Sequence, residues 1–198
     1  MNDAVFLLCL LNLIGIGLLP KLFFRKDGRF NAMWWTTAFP FFLCTLYLLL
    51  ARCGVMSPFR LRDWHLVTEL VAVVLSAASI ALMFLTLGTH RIPLSLWHQE
   101  DDAPHHLVTY GAYGWIRHPF YAAFLMALFS VLVFVPHWVT LYTFAHGVIV
   151  LTITAVREEQ RLRASAFGAE YEDYMRRTGR FWPRLTLGHA PQSLRRHD

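Results

Sequence analysis

Charged side chains are scarce in this 198-residue chain: Asp, Glu, Lys and Arg make up only 16% of it, against about 25% in soluble domains. With 56% hydrophobic residues, the chain lacks the polar surface of a soluble domain and the composition of a disordered one. Cysteine is scarce too. Cys9, Cys44 and Cys53 lie in or beside apolar runs without CxxC spacing, which excludes a disulfide framework and a cysteine metal cluster. All three read as buried thiols. The sequence contains no HExxH motif, no glycine-rich dinucleotide fingerprint and no repeat of helical-array length. His105 and His106 are adjacent, a spacing that does not turn two ligands toward one metal in regular structure. No metal is expected.

Long apolar runs are abundant. A bilayer core about 30 Å thick takes about 20 mostly apolar helical residues, and five segments qualify or nearly so: 4–24, 32–53, 66–87, 119–135 and 137–156. The fold class expected is an all-α integral membrane protein with about five transmembrane helices, a polar cytoplasmic loop and a C-terminal helix. The first run lacks the basic leader and small-residue cleavage site of a signal peptide and is read as a retained helix. The last two runs are separated only by Pro136 and its neighbours, which predicts a tight antiparallel hairpin with His137 and Trp138 at the interface. Pro40 is expected to kink the second helix. Glu69, near the start of the third run beside Trp64 and His65, reads as an interfacial residue that snorkels.

Five spans divide the Lys and Arg residues fifteen to three, with the first loop, the third loop and the C-terminal stretch on the rich side. The positive-inside rule then puts the C-terminus in the cytoplasm. The formal charge of +5 follows from that topology and from lipid headgroups, so no nucleic-acid partner is expected. A bacterial inner membrane is favoured over the endoplasmic reticulum because the chain is short and its loops compact. The chain divides into an N-terminal three-helix part (1–87), a core of loop, helical hairpin and C-terminal helix (88–185), and a fraying tail (186–198).

Two polar stretches carry the functional candidates, 88–118 and 157–184. The first holds five of the ten histidines and runs into the fourth span through LVTYGAYGWIRHPFY (107–121). Here Gly111 and Gly114 let backbone approach a ligand, and Pro119 is placed to open a helix whose free amides attract anionic groups. Arg117 and His118 add cationic or hydrogen-bonding groups, while Tyr113 and Tyr121 offer aromatic faces to a nucleobase or a sulfonium. The second stretch brings Glu158 and Glu159 at the end of the fifth span, then Leu162, Phe167, Gly168, Glu170, Tyr171, Tyr174 and Thr178. A meeting of Tyr121 with Glu158 at the mouth of the hairpin would join aromatic and carboxylate groups. The alternative is a solvated amphipathic helix in which Glu159 pairs with Arg163.

These segments, LVTxGxYxxxRHPxY, EExxL, FGxEYxxYxxxT and the 181–183 tail, resemble the isoprenylcysteine carboxyl methyltransferase and phospholipid methyltransferase superfamily in order and spacing. The resemblance covers about 88–183. It implies a multispan enzyme that takes S-adenosylmethionine from the cytoplasmic side and a lipophilic or lipidated acceptor from the membrane. It also implies cofactor contacts from His105, Leu107, Val108, Tyr113, His118, Pro119, Phe120, Tyr121 and Glu158, with Gln99 at a more variable contact and Gly111 in the bend. The family glycine after HPxY is Ala123 here, and the arginine associated with a substrate carboxylate is Thr154. Arg117 or Arg157 is then the candidate carboxylate partner, and Glu159, His106 or Tyr110 the candidate base, so Arg117 and Glu159 are the expected catalytic pair. Two other readings use the same scaffold, an NADPH-dependent reductase resembling membrane sterol reductases and a non-enzymatic membrane subunit.

Overall fold

The computed structural model describes residues 1–18, 32–59, 64–89 and 107–184. They form six α-helices and one 3-10 turn: α1 (Asp3–Leu18), α2 (Ala32–Arg52), α3 (His65–Thr89), the turn η1 (Gly111–Gly114), α4 (Pro119–Phe134), α5 (Trp138–Arg163) and α6 (Gly168–Arg177). An isolated parallel bridge pairs Ile116 with Gly179. Three helices, α2, α3 and α5, are long and apolar enough to cross a membrane, which suggests a multi-pass membrane protein. Helices α1 and α4 are equally apolar but span 16 residues each, about 24 Å at 1.5 Å per residue.

Helix α4 is the hub and packs against α1, α2, α3 and α5, most extensively against α3. The reason lies in residue size. The buried positions of α3 are Ala72, Ser76, Ser79, Met83 and Thr86, a narrow stripe of mostly small side chains at helical spacing, and α4 answers with Ala123, Ala127 and Ser130. Small residues let two backbones approach, and hydroxyls then reach across. Ser76 donates to Ser130 Oγ at 3.0 Å, and Ser79 Oγ lies 2.7 Å from the Ala123 carbonyl. Helix α1 joins through Asn12, whose side-chain amide lies 3.5 Å from the Ser76 carbonyl and 3.3 Å from Ser79 Oγ. Between helices in lipid, where hydrophobic drive is absent, such packing and hydrogen bonds, about 0.6 kcal/mol each, hold the bundle together. Leu7, Leu11 and Ile14 on α1 and Leu66, Leu70 and Val74 on α3 point outward at helical spacing.

Pro40 lies within α2. Lacking an N–H, it cannot donate to the carbonyl of Thr36 one turn back. His146 on α5 does so instead, with Nε2 2.9 Å from that oxygen and its ring against Phe39 and Tyr142. At the opposite end of α4, the hairpin turn is as tight as its sequence predicts. His137 caps α5 through Nδ1, which accepts from the Val139 amide, while Thr140 Oγ1 accepts from the His137 amide. The His137 ring is stacked between Tyr47 and Phe59, and Trp138 is exposed beside it.

Two expectations need adjustment. Cys9 and Cys44 are buried but Cys53 is exposed, because it stands past the last turn of α2, just before Gly54 in the left-handed region (φ 74). Helix α5 does not stop at 156 with the apolar run; it continues to Arg163, which carries Glu158 and Glu159 into regular helix. Glu69 is half-buried and accepts from the Asn2 amide at 3.3 Å. The expected tail, 186–198, lies outside the described residues.

Candidate functional site

Five pieces of chain meet at the end of the bundle where α4 begins and α5 ends. Gly111, in the left-handed region at φ 61, packs η1 so closely on the end of α3 that a Cβ there would sit 2.2 Å from Thr89 Oγ1. After η1 the chain turns at His118, which opens α4 with Pro119 in its first turn. Helix α6 is strongly amphipathic. It buries Tyr171 and Tyr174, and the Tyr174 hydroxyl donates to the Tyr113 carbonyl at 2.6 Å, which ties η1 to α6. The chain then leaves α6 and runs back across the His118 turn. The Arg117 amide donates to the Gly179 carbonyl at 2.8 Å and the His118 amide to the Arg180 carbonyl at 3.0 Å.

At the centre, Tyr121 donates its hydroxyl to Glu158 Oε1 at 2.7 Å. The His118 ring lies parallel to the Tyr121 ring, centroids 5.2 Å apart and planes within 8°. His118 Nδ1 is 3.5 Å from Glu158 Oε2 and its Nε2 is 3.3 Å from Glu159 Oε1, so the imidazole lies between two carboxylates. Glu159 has further partners. Its Oε1 accepts from Arg117 Nε at 3.0 Å and Arg180 Nε at 3.1 Å, and its Oε2 from Arg180 Nη2 at 2.7 Å. Arg117 also donates through Nη1 to the carbonyls of Met175 and Thr178 at the end of α6. Phe181 covers the outer side of the cluster, packing on His118 and Tyr121.

Burial sets the electrostatics. It pulls His118 below its ordinary value, reinforced by the positive charges of Arg117 and Arg180 and opposed by Glu159. Burial, followed by the charge of Glu158, pushes the Tyr113 phenol up. Burial also raises Tyr171 and Tyr174, so these phenols keep their protons at neutral pH. The Glu159 hydrogen bonds hold Arg180 charged.

The structure therefore brings His118, Pro119, Tyr121 and Glu158 to one place, with Gly111 and Tyr113 in the adjoining turn and Leu107 and Val108 leading into it, both half-buried. Arg117 and Glu159 are present as well but bonded to each other, with side chains 9% and 4% exposed. Glu159 does not pair with Arg163, whose guanidinium binds Glu172 at 3.1 Å on the surface. Tyr110 is 62% exposed, and Arg157 is exposed on α5. Thr154 is buried and donates to the Val150 carbonyl of its own helix at 2.8 Å. Gln99, His105 and His106 lie outside the described residues. Arg180 and Phe181 escaped sequence reasoning as site members. Their signal was Gly179 before FWP, a turn that would swing the chain back, and a Cβ at Gly179 would sit 1.7 Å from the Trp182 carbonyl oxygen.

Among the described residues no three His, Cys, Asp or Glu side chains converge as metal ligands. The arrangement is an aromatic and carboxylate cluster at one end of an apolar helical bundle, three of whose helices are long and apolar enough to cross a membrane. Comparison of the chain with protein-family models, curated proteins and solved structures finds no match.

Proposed function

We propose that this protein is a membrane-embedded S-adenosylmethionine-dependent methyltransferase acting on a lipophilic or lipidated acceptor. The observation that carries the reading is the Tyr121–Glu158 hydrogen bond of 2.7 Å with His118 stacked on the same tyrosine. It joins two motifs 37 residues apart, both of which the family resemblance assigns to the cofactor. When bound, that cofactor supplies an electrophilic sulfonium methyl and leaves as the neutral thioether. The donor set suits it: the Glu158 carboxylate for an ammonium, the rings of Tyr121, Tyr113 and Phe181 for a sulfonium or a nucleobase, and the first-turn amides of α4 for a carboxylate.

In this reading all five apolar helices cross the bilayer, the cluster faces the cytoplasm, and the membrane is a bacterial inner membrane. The residues align the reactants and exclude water rather than contribute covalent chemistry. Calorimetric titration of detergent-purified protein tests it. S-Adenosylmethionine and S-adenosylhomocysteine should bind saturably, and Glu158→Ala should weaken both about a hundredfold. Binding of NADPH in their place would overturn the reading in favour of a reductase, and no binding by folded protein would favour a non-enzymatic subunit.

A further inference from the structure

The segment 178–183 is a strap. It is joined to the His118 turn by the Ile116–Gly179 bridge and by two backbone hydrogen bonds. Its start is tied to α6, where Thr178 Oγ1 donates to the Tyr174 carbonyl at 2.7 Å, and its Phe181 ring rests on His118 and Tyr121. Among the described residues, the one charged contact between strap and helical bundle is made where burial changes abruptly. The Arg180 side chain is 35% exposed and the Glu159 side chain that it grips through two nitrogens is 4% exposed.

We propose that Arg180 and Glu159 are positioning residues: together they clip the strap across the His118 turn and so hold the imidazole against Tyr121 and Glu158. Glu159 is fitted for this by its hydrogen bonds. Its Oε1 faces Arg117, Arg180 and His118 and its Oε2 accepts from Arg180, so the carboxylate joins the strap, the turn and α5. Arg117 completes the joint by reaching from the turn to the last carbonyls of α6. Surface pairs on α6, such as Arg177 with Asp173, are about half exposed on both sides and contribute little. The Glu159 contacts differ because a buried carboxylate without its partners is costly.

The strap itself does not depend on the methyltransferase reading; only its ligand arm does. Removing Glu159 strands buried cations and threatens folding, so Arg180 carries the test, with Arg180→Met, Arg180→Lys and the surface control Arg163→Met made in the full chain. Hydrogen exchange at the Arg117 and His118 amides, which bond to the strap, should quicken about tenfold in Arg180→Met, recover partly in Arg180→Lys and stay unchanged in Arg163→Met. The His118 ring is faced by Arg117 in its own turn, Tyr121 on α4, Glu158 and Glu159 on α5 and Arg180 on the strap. Loss of the Arg180 charge should therefore move its NMR titration upward. S-Adenosylmethionine affinity should fall about tenfold in Arg180→Met and recover in Arg180→Lys. Unchanged exchange at both amides would overturn the clip. Faster exchange with an unmoved His118 titration, or with wild-type affinity for a ligand that the parent protein binds, would overturn the positioning role. A parent protein that binds no S-adenosylmethionine would overturn the methyltransferase reading, and the exchange and titration results would still decide the clip.

Discussion

The α3–α4 seam and the α5–strap junction are both buried, yet they are held by opposite means. At the seam, serine and alanine let backbones approach, and each hydroxyl bond joins neutral groups. At the junction, two arginines and a histidine converge on one carboxylate. A neutral seam loses little when one bond is removed because its atoms remain packed. An ionic junction loses much, because each charge was buried only on condition that the others were present.

The sharpest way to break that contrast is Glu159→Ala. It should destabilise the protein by about 3–5 kcal/mol, the usual cost of removing one partner of a buried ion pair, and thermal unfolding in detergent would measure it. A loss under about 1 kcal/mol would mean that the junction is no more than a surface salt bridge. Overfilling the seam comes next: Ala127, buried at 1% exposure, replaced by Leu should cost about 1–3 kcal/mol by forcing α3 from α4, whereas Ser130→Ala should cost about 0.6 kcal/mol.

A third site lies between these extremes, where His146 donates to the Thr36 carbonyl that Pro40, lacking an N–H, cannot serve. His146→Leu should cost about 1 kcal/mol in the parent protein and measurably less in a Pro40→Ala background, where the restored backbone N–H at that position can serve the Thr36 carbonyl. A double-mutant cycle with no coupling would sink that account. The smallest effect expected is that of pH. Because burial lowers His118 from 6.5, the folded state binds fewer protons than the unfolded chain just below that pH. The histidine's contribution is thus complete above about pH 6.5 and declines as acid is added. Titration of stability between pH 7 and 5 should show that decline, and His118→Asn should remove it.

Much of the bundle was legible from composition and spacing. Runs of apolar residues locate α1 to α5 because helix length and hydropathy are local properties, and the Pro136 hairpin follows from the brevity of the break. The helical extent of α5 was misjudged because its last turns are charged, and hydropathy ends where the apolar residues do. Within the site, His118, Tyr121 and Glu158 stood out as residue types suited to a charged aromatic ligand. Arg180 did not, since an arginine in a charged stretch has the same local signature whether it points to water or into a buried carboxylate.

The sequence by itself therefore determined that the chain is helical, strongly apolar and polar in two stretches, since each of those properties is set by neighbours within a helical turn or two. Only the tertiary structure decided which charges meet. Glu159 finds Arg180 at 21 residues, His118 at 41 and Arg117 at 42, and His146 finds the Thr36 carbonyl at 110. No local pattern encodes such pairings. They arise when helices pack, because a buried donor or acceptor must be satisfied by whatever the packing brings within reach.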